Sequence, residues 1–237
     1  MLGENGAKMI MRGEFERNLL DNLKTLILCL GSDVFGYEIP KQVPNIEKLV
    51  VCVGSFKEMF LGESPNDVDY SGLLLQLKVI HLVSLPELVA WRLPFSNLTC
   101  LKVQWCSSLS YLFTSSTARS LTKLQRMEII ECGSIEEIVS KEESDEDQII
   151  FPQLRCLNLC DLSRLRWFYR GSLTFPLLTE LSIYYCDEMI TLCAGTLEVA
   201  KLSQVTINYT QRFLLETDLD SIILEEFLKE VRVSFFY

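Results

Sequence analysis

Histidine is almost missing: one residue, His81, in 237. Any catalytic triad, imidazole base or His-ligated metal would have to use it. It falls between Ile80 and Leu82 in an alternating apolar stretch, where a surface imidazole is the simpler reading. No G-x-S-x-G or H-E-x-x-H occurs, and "GENGAK" near the start lacks the four-residue gap and Lys-Ser/Thr pair of a phosphate loop. The nine cysteines include no C-x-x-C. Their closest pairs, Cys156/Cys160, Cys100/Cys106 and Cys186/Cys193, have no histidine beside them, so no zinc or other metal site is expected. Excess positive charge is also absent. With 22 Lys and Arg against 32 Asp and Glu, the net charge of −10 leaves no basic face for nucleic acid or an anionic membrane. Nor is there a long hydrophobic run. The longest charge-free stretch, residues 103–118, carries five Ser and two Thr, which hydrocarbon would not tolerate. The first residues hold early acids and no apolar signal core. An odd number of cysteines without an export signal implies reduced thiols and a cytoplasmic setting.

What is present is a ladder. The chain is 49% hydrophobic and 23% charged, enough for a sizeable core. Its apolar residues recur on one template, with an apolar position followed by others three, five, eight, eleven and fourteen places later. Leu98, Leu101, Val103, Cys106, Leu109 and Leu112 fit it, as do Leu124, Met127, Ile129, Cys132, Ile135 and Ile138. Further sets begin at Leu77, Leu154 and Leu178. Half-copies begin at Leu23, Ile46 and Leu202. With about half the residues apolar, a full match arises by chance roughly once in 70 tries. Successive first positions lie 21 to 31 residues apart, which brackets the leucine-rich repeat L-x-x-L-x-L-x-x-N/C-x-L.

The spacing has a physical cause. The L-x-L core alternates in and out as a short strand must, and the later three-residue steps suit an irregular or 3₁₀-like return. One such unit cannot bury its own apolar edge, so neighbours stack. The expected fold is α/β: a leucine-rich-repeat solenoid, a curved horseshoe with a parallel concave sheet and an irregular or short-helical convex side. A single domain, 1–237, would hold about eight repeats, the first of them partial. Insertions are expected near 62–72 and 140–149, the latter carrying the solvated acidic run "KEESDEDQ". Apolar residues at helical spacing predict a capping helix over 218–231.

The same template sorts the chemistry by face. Cys106, Cys132 and Cys186 share a slot that Leu85 and Leu162 fill elsewhere, so they read as core rungs rather than reagents. The residues between the inward positions form the concave face. The candidate protein-binding residues there are Lys102, Gln104, Trp105, Glu128, Glu131, Asn158, Asp161, Ser182, Tyr184, Tyr185, Asn208 and Tyr209. Trp105, Tyr184, Tyr185 and Tyr209 take corresponding or neighbouring positions, which predicts an aromatic column beside mixed charge, the usual chemistry of interface anchors. No catalytic residue and no cofactor are expected.

Three segments resemble a known family. "FSNLTCLKVQWCSSLSYLFTSSTARSLTKLQRMEIIECGSIEEIV", "IIFPQLRCLNLCDLSRLRWF" and "FPLLTELSIYYCDEM" look like the C-terminal leucine-rich repeats of plant disease-resistance proteins of the coiled-coil, nucleotide-binding type. "VPNIEKLVVCVGSFKEMF" and the "DLDSII" segment extend the likeness over most of the chain. The resemblance implies a non-enzymatic, cytoplasmic sensor in defence against pathogens. Its partners would be pathogen effectors or guarded host proteins, and the receptor's own nucleotide-binding domain if the chain is a fragment. This sequence shows no phosphate-binding loop, switch-domain motif or coiled coil, so nucleotide-driven signalling is not carried over if the chain is complete. Two other readings stay open: a stand-alone adaptor or ubiquitin-ligase substrate receptor, and a thiol enzyme using outward Cys100, Cys156 or Cys160.

Overall fold

A computed structural model describes residues 1–29, 38–59, 74–91, 96–142, 148–189, 191–202, 204–208, 210–213, 219, 222 and 223. One nine-stranded sheet runs the length of the chain. Its strands are Thr25–Cys29, Lys48–Cys52, Val79–Val83, Cys100–Gln104, Arg126–Ile130, Cys156–Cys160, Glu180–Tyr184, Gln204–Ile207 and Thr210–Phe213. Every neighbour pair is parallel except the last, and sequential repeats lie side by side in register. The chain is a leucine-rich-repeat solenoid.

Hydrogen bonds fix the register where each strand begins. The carbonyls of Lys24, Glu47, Lys78, Thr99, Gln125 and Arg155 each accept two N–H groups from the next rung. Two consecutive donors on one acceptor leave no room for a one-residue slip, which would turn every apolar side chain to solvent. The inward positions accordingly disappear from water. In the five full repeats no template residue exceeds the 8% exposure of Trp91. Cys106, Cys132 and Cys186 are each 0% exposed, and each thiol donates to the carbonyl two residues earlier at 3.4 Å. That bond satisfies the only polar group the slot contains.

The second repeat fills its slot differently. Gly54 stands in register with Leu85, and a Cβ there would collide with the ring of Phe56, which is buried in its place. This is why the template breaks after Val51.

The opposite side is more extended than the expected irregular or short-helical return. Tyr111–Thr114, Glu137–Ser140 and Trp167–Tyr169 form a parallel sheet, as do Gln148–Ile150, Ser172–Thr174 and Leu197–Glu198. Glu58–Met59 pairs with Ala90–Trp91. Between the layers Phe151 and Phe175 stack at 5.6 Å, and Phe168 meets both edge-on at 5.7 Å. Glu142, at the margin of the acidic run, is anchored rather than loose. Its carboxylate accepts from Ser115 Oγ and the Ser116 N–H at 3.2 Å, at the start of the short helix Ser115–Ser120. Residues 143–147 and 62–72 lie outside the described residues.

At the first edge of the long sheet Leu2 forms a parallel bridge with Leu28, followed by the helix Glu4–Met11, whose Ala7 and Ile10 are buried. At the far edge the chain reverses at Asn208, and Thr210–Phe213 returns antiparallel against Gln204–Ile207. Of the expected helix over 218–231, the described residues Leu219, Ile222 and Ile223 are helical and buried. The rest of it lies outside the described residues.

Candidate functional site

The outward residues of the long sheet form a grid whose rows cross neighbouring strands about 4.8 Å apart. The middle row runs Ile27, Val50, His81, Lys102, Glu128, Asn158, Ser182, Thr206. The last strand position gives Cys29, Cys52, Val83, Gln104, Ile130, Cys160, Tyr184. Of the candidate residues, Lys102, Glu128, Asn158 and Ser182 therefore share one row, and Gln104 and Tyr184 another.

A third row lies just beyond the strands, and its cause is the backbone. Val53, Ser84, Trp105, Glu131, Asp161, Tyr185 and Asn208 all have φ between 42° and 55°. A continuing strand would point these side chains inward. The left-handed turn instead throws them out and lets the following slot residue dive into the core. Each non-glycine residue there costs about 1–2 kcal/mol, and the ladder offsets it. From Val53 to Asp161 each N–H donates to the last strand carbonyl of the next rung, at 2.9–3.1 Å. The Tyr185 N–H donates to Asn208 Oδ1 at 2.8 Å.

This row corrects the expected aromatic column. Trp105 is 45% and Tyr185 44% exposed, but exposed Glu131 and Asp161 stand between them. Three rung steps, roughly 14 Å, separate the two rings. Tyr184 sits one row inward and is half-buried, and Tyr209 lies outside the described residues. The outward face also extends further than expected at the other end. Ile27, Val50, Cys29 and Cys52 continue the outward face into the first two strands, with Val53 65% exposed beside them. The half-repeats at Leu23 and Ile46 were enough to find them.

Charge is concentrated in the middle of the grid. Lys102 Nζ reaches Glu128 Oε2 at 3.0 Å, and Arg126 approaches Oε1 at 3.5 Å and Cys156 Sγ at 3.1 Å. Burial raises the Glu128 pKa, but the Lys102 hydrogen bond and charge, with Arg126, outweigh it, so the net shift is downward. Such a carboxylate stabilises the fold above its unfolded pKa, and that contribution is lost as pH falls through the folded value. Unfolding free energy should therefore drop below the ordinary glutamate range of about 4.3, and Glu128→Gln should flatten that drop. Urea titrations from pH 6 to 3 measure it; an unchanged acid limb in the variant would remove Glu128 from the account.

Cys100, Cys156 and Cys160 are poor nucleophiles. Burial, with Glu180 next, pushes Cys156 up to about 11, and burial with Asp161 does the same to Cys160. Cys100 is raised by burial and Glu128. An activated cysteine needs the opposite environment. His81 is lowered by burial first, then by Lys48 and Lys102, so its neighbours favour the neutral ring.

A sequence profile described as "Plant disease resistance protein RPS2-like, leucine-rich repeats" matches residues 1–133 and 92–210. The chain belongs to this family. The matched stretches take in the parallel strands of the long sheet and the outward grid of these RPS2-like repeats. They are 25% identical, over 190 residues and 73% of the chain, to the probable disease resistance protein At5g63020 of Arabidopsis thaliana. The chain spans 21% of that relative's length. No solved structure matches. The place of these repeats is among those of plant disease-resistance proteins, in a recognition role.

Proposed function

We propose that the outward face of the long sheet is the sensor surface of a plant intracellular immune receptor. It binds a protein there, either a pathogen effector or a guarded host protein, and catalyses nothing. The observation that carries this reading is the row Trp105, Glu131, Asp161, Tyr185, held outward by a left-handed backbone at each position. Exposed aromatics at 45% and 44%, next to carboxylates and to the Lys102–Glu128–Arg126 group, combine apolar anchors with orienting charge. A cytoplasmic setting belongs to the proposal. Among the described residues, no helix is long and apolar enough to cross a membrane.

The test is a triple variant, Trp105→Ala, Tyr184→Ala, Tyr185→Ala, titrated against candidate effectors and host proteins that bind the unaltered chain. Two anchors of about 2 kcal/mol each predict a loss of at least about a hundredfold in affinity. The melting temperature should hardly move, since Trp105 and Tyr185 lie outside the core. Undiminished binding would place the interface on another face.

A further inference from the structure

We propose that Cys29 and Cys52 form a dithiol modification site, oxidised by peroxide to a disulfide that ties the first two strands of the solenoid together. The two residues end adjacent parallel strands and are Cα partners in register. Their sulfurs lie 2.8 Å apart, beyond the roughly 2.0 Å of an S–S bond but close enough for one thiol to donate to the other. In-register neighbours about 4.8 Å apart fall inside the Cα separation a disulfide accepts.

Access and adjacency together separate this pair from the other thiols, since Cys100, Cys156 and Cys160 are also partly exposed but none of them is the in-register neighbour of another. Cys106 and Cys132 also occupy neighbouring rungs in one slot, but both are 0% exposed and out of an oxidant's reach. Cys100 and Cys156 share a row with Arg126 between them. Cys29 and Cys52 are partly exposed, beside the apolar outward residues Ile27, Val50 and Val53.

The reaction runs in two balanced steps. The Cys29 sulfur attacks one oxygen of hydrogen peroxide and the O–O bond breaks, giving a sulfenic acid and one water. The Cys52 sulfur then attacks the sulfenic sulfur. The S–S bond forms, the S–O bond breaks and a second water leaves with the thiol proton. Both sulfurs are oxidised, and the peroxide takes the two electrons. Cys52 takes the second step by position, its sulfur lying 2.8 Å from that of Cys29. Burial and the neighbouring Cys29 raise its pKa to about 11, and the thiol donates to the Leu28 carbonyl at 3.3 Å, so the bridge should close faster as the pH is raised. A partly exposed bridge between neighbouring strands is of the reducible kind, so a dithiol should reverse it.

The experiment exposes the 237-residue chain to stoichiometric hydrogen peroxide, alkylates it in denaturant and maps tryptic peptides without reduction. The expected product joins peptide 25–41 to peptide 49–57, leaves the other seven cysteines alkylated, and disappears on treatment with dithiothreitol. Cys29→Ser and Cys52→Ser, checked for folding by circular dichroism, should each abolish the linked pair without creating another. Alkylation of both residues after oxidation would overturn the proposal, and so would a sulfinic acid with no link or a bridge to any other thiol.

Discussion

Phe168→Ala should lower the unfolding free energy by about 3–5 kcal/mol. The ring is fully buried and stands edge-on to two others, Phe151 and Phe175, each 5.7 Å away and themselves stacked. Truncation removes both edge-to-face contacts and leaves a void that two stacked rings in adjacent turns cannot close without losing their own contact. The partner rings come from the Phe-Pro openings of two repeats, so the damage spreads over the rungs beginning at Leu154 and Leu178. Phe168→Leu, the side-chain type that Leu112 and Leu192 supply at the same template position, should cost much less. Guanidinium titrations of the three proteins decide it. A Phe168→Ala loss below about 1 kcal/mol would mean the layer repacks freely and the ring cluster is not a fixed joint.

The second large effect is expected at Gly54. Gly54→Leu puts the residue used by Leu85 and Leu162 into the same slot, yet it should destabilise by about 3 kcal/mol or more through overpacking. The reason is Phe56, 4% exposed, whose ring occupies the volume a side chain at Gly54 would need. Phe56→Ala alone should cost about 3–5 kcal/mol by leaving that volume empty. Combined, the two changes should restore the arrangement of the neighbouring rungs. The double variant is then more stable than either single one, with a coupling of about 2–3 kcal/mol. Additive losses in the cycle would show that the ring and the slot are independent.

How much of this could be read in the sequence depends on how firmly each position's identity is tied to burial. Leu157, Leu159 and Leu162 must be apolar because they are fully buried, so the template records them directly. The short strands of the opposite side left no such record. Tyr111–Thr114 and Glu137–Ser140 bury two adjacent residues rather than alternate ones, so no period of two marks them. The antiparallel Thr210–Phe213 is not legible because the sequence before it, after Ile207, holds no glycine of the kind that usually advertises a hairpin. On the outward face the residues were found but their neighbours were not. The left-handed turn at Trp105 and its equivalents interrupts the alternation by one residue. Its only trace in the sequence is the step of three, where a strand would give two, between Val103 and Cys106. That interruption decides whether aromatics touch one another or face Glu131 and Asp161.

The parallel strands of the long sheet pair only with sequence neighbours, and this settles how the molecule would carry a load. Tension applied at its two ends would pass through the rungs in series. Each is held to the next by the long sheet and, in most turns, by a shorter ladder on the opposite side. Among the described residues no strand pair between distant rungs shares it. Such a body yields like a pulled thread of knitting, one loop at a time. Its resistance is that of its weakest rung, whatever the number of rungs in the stack.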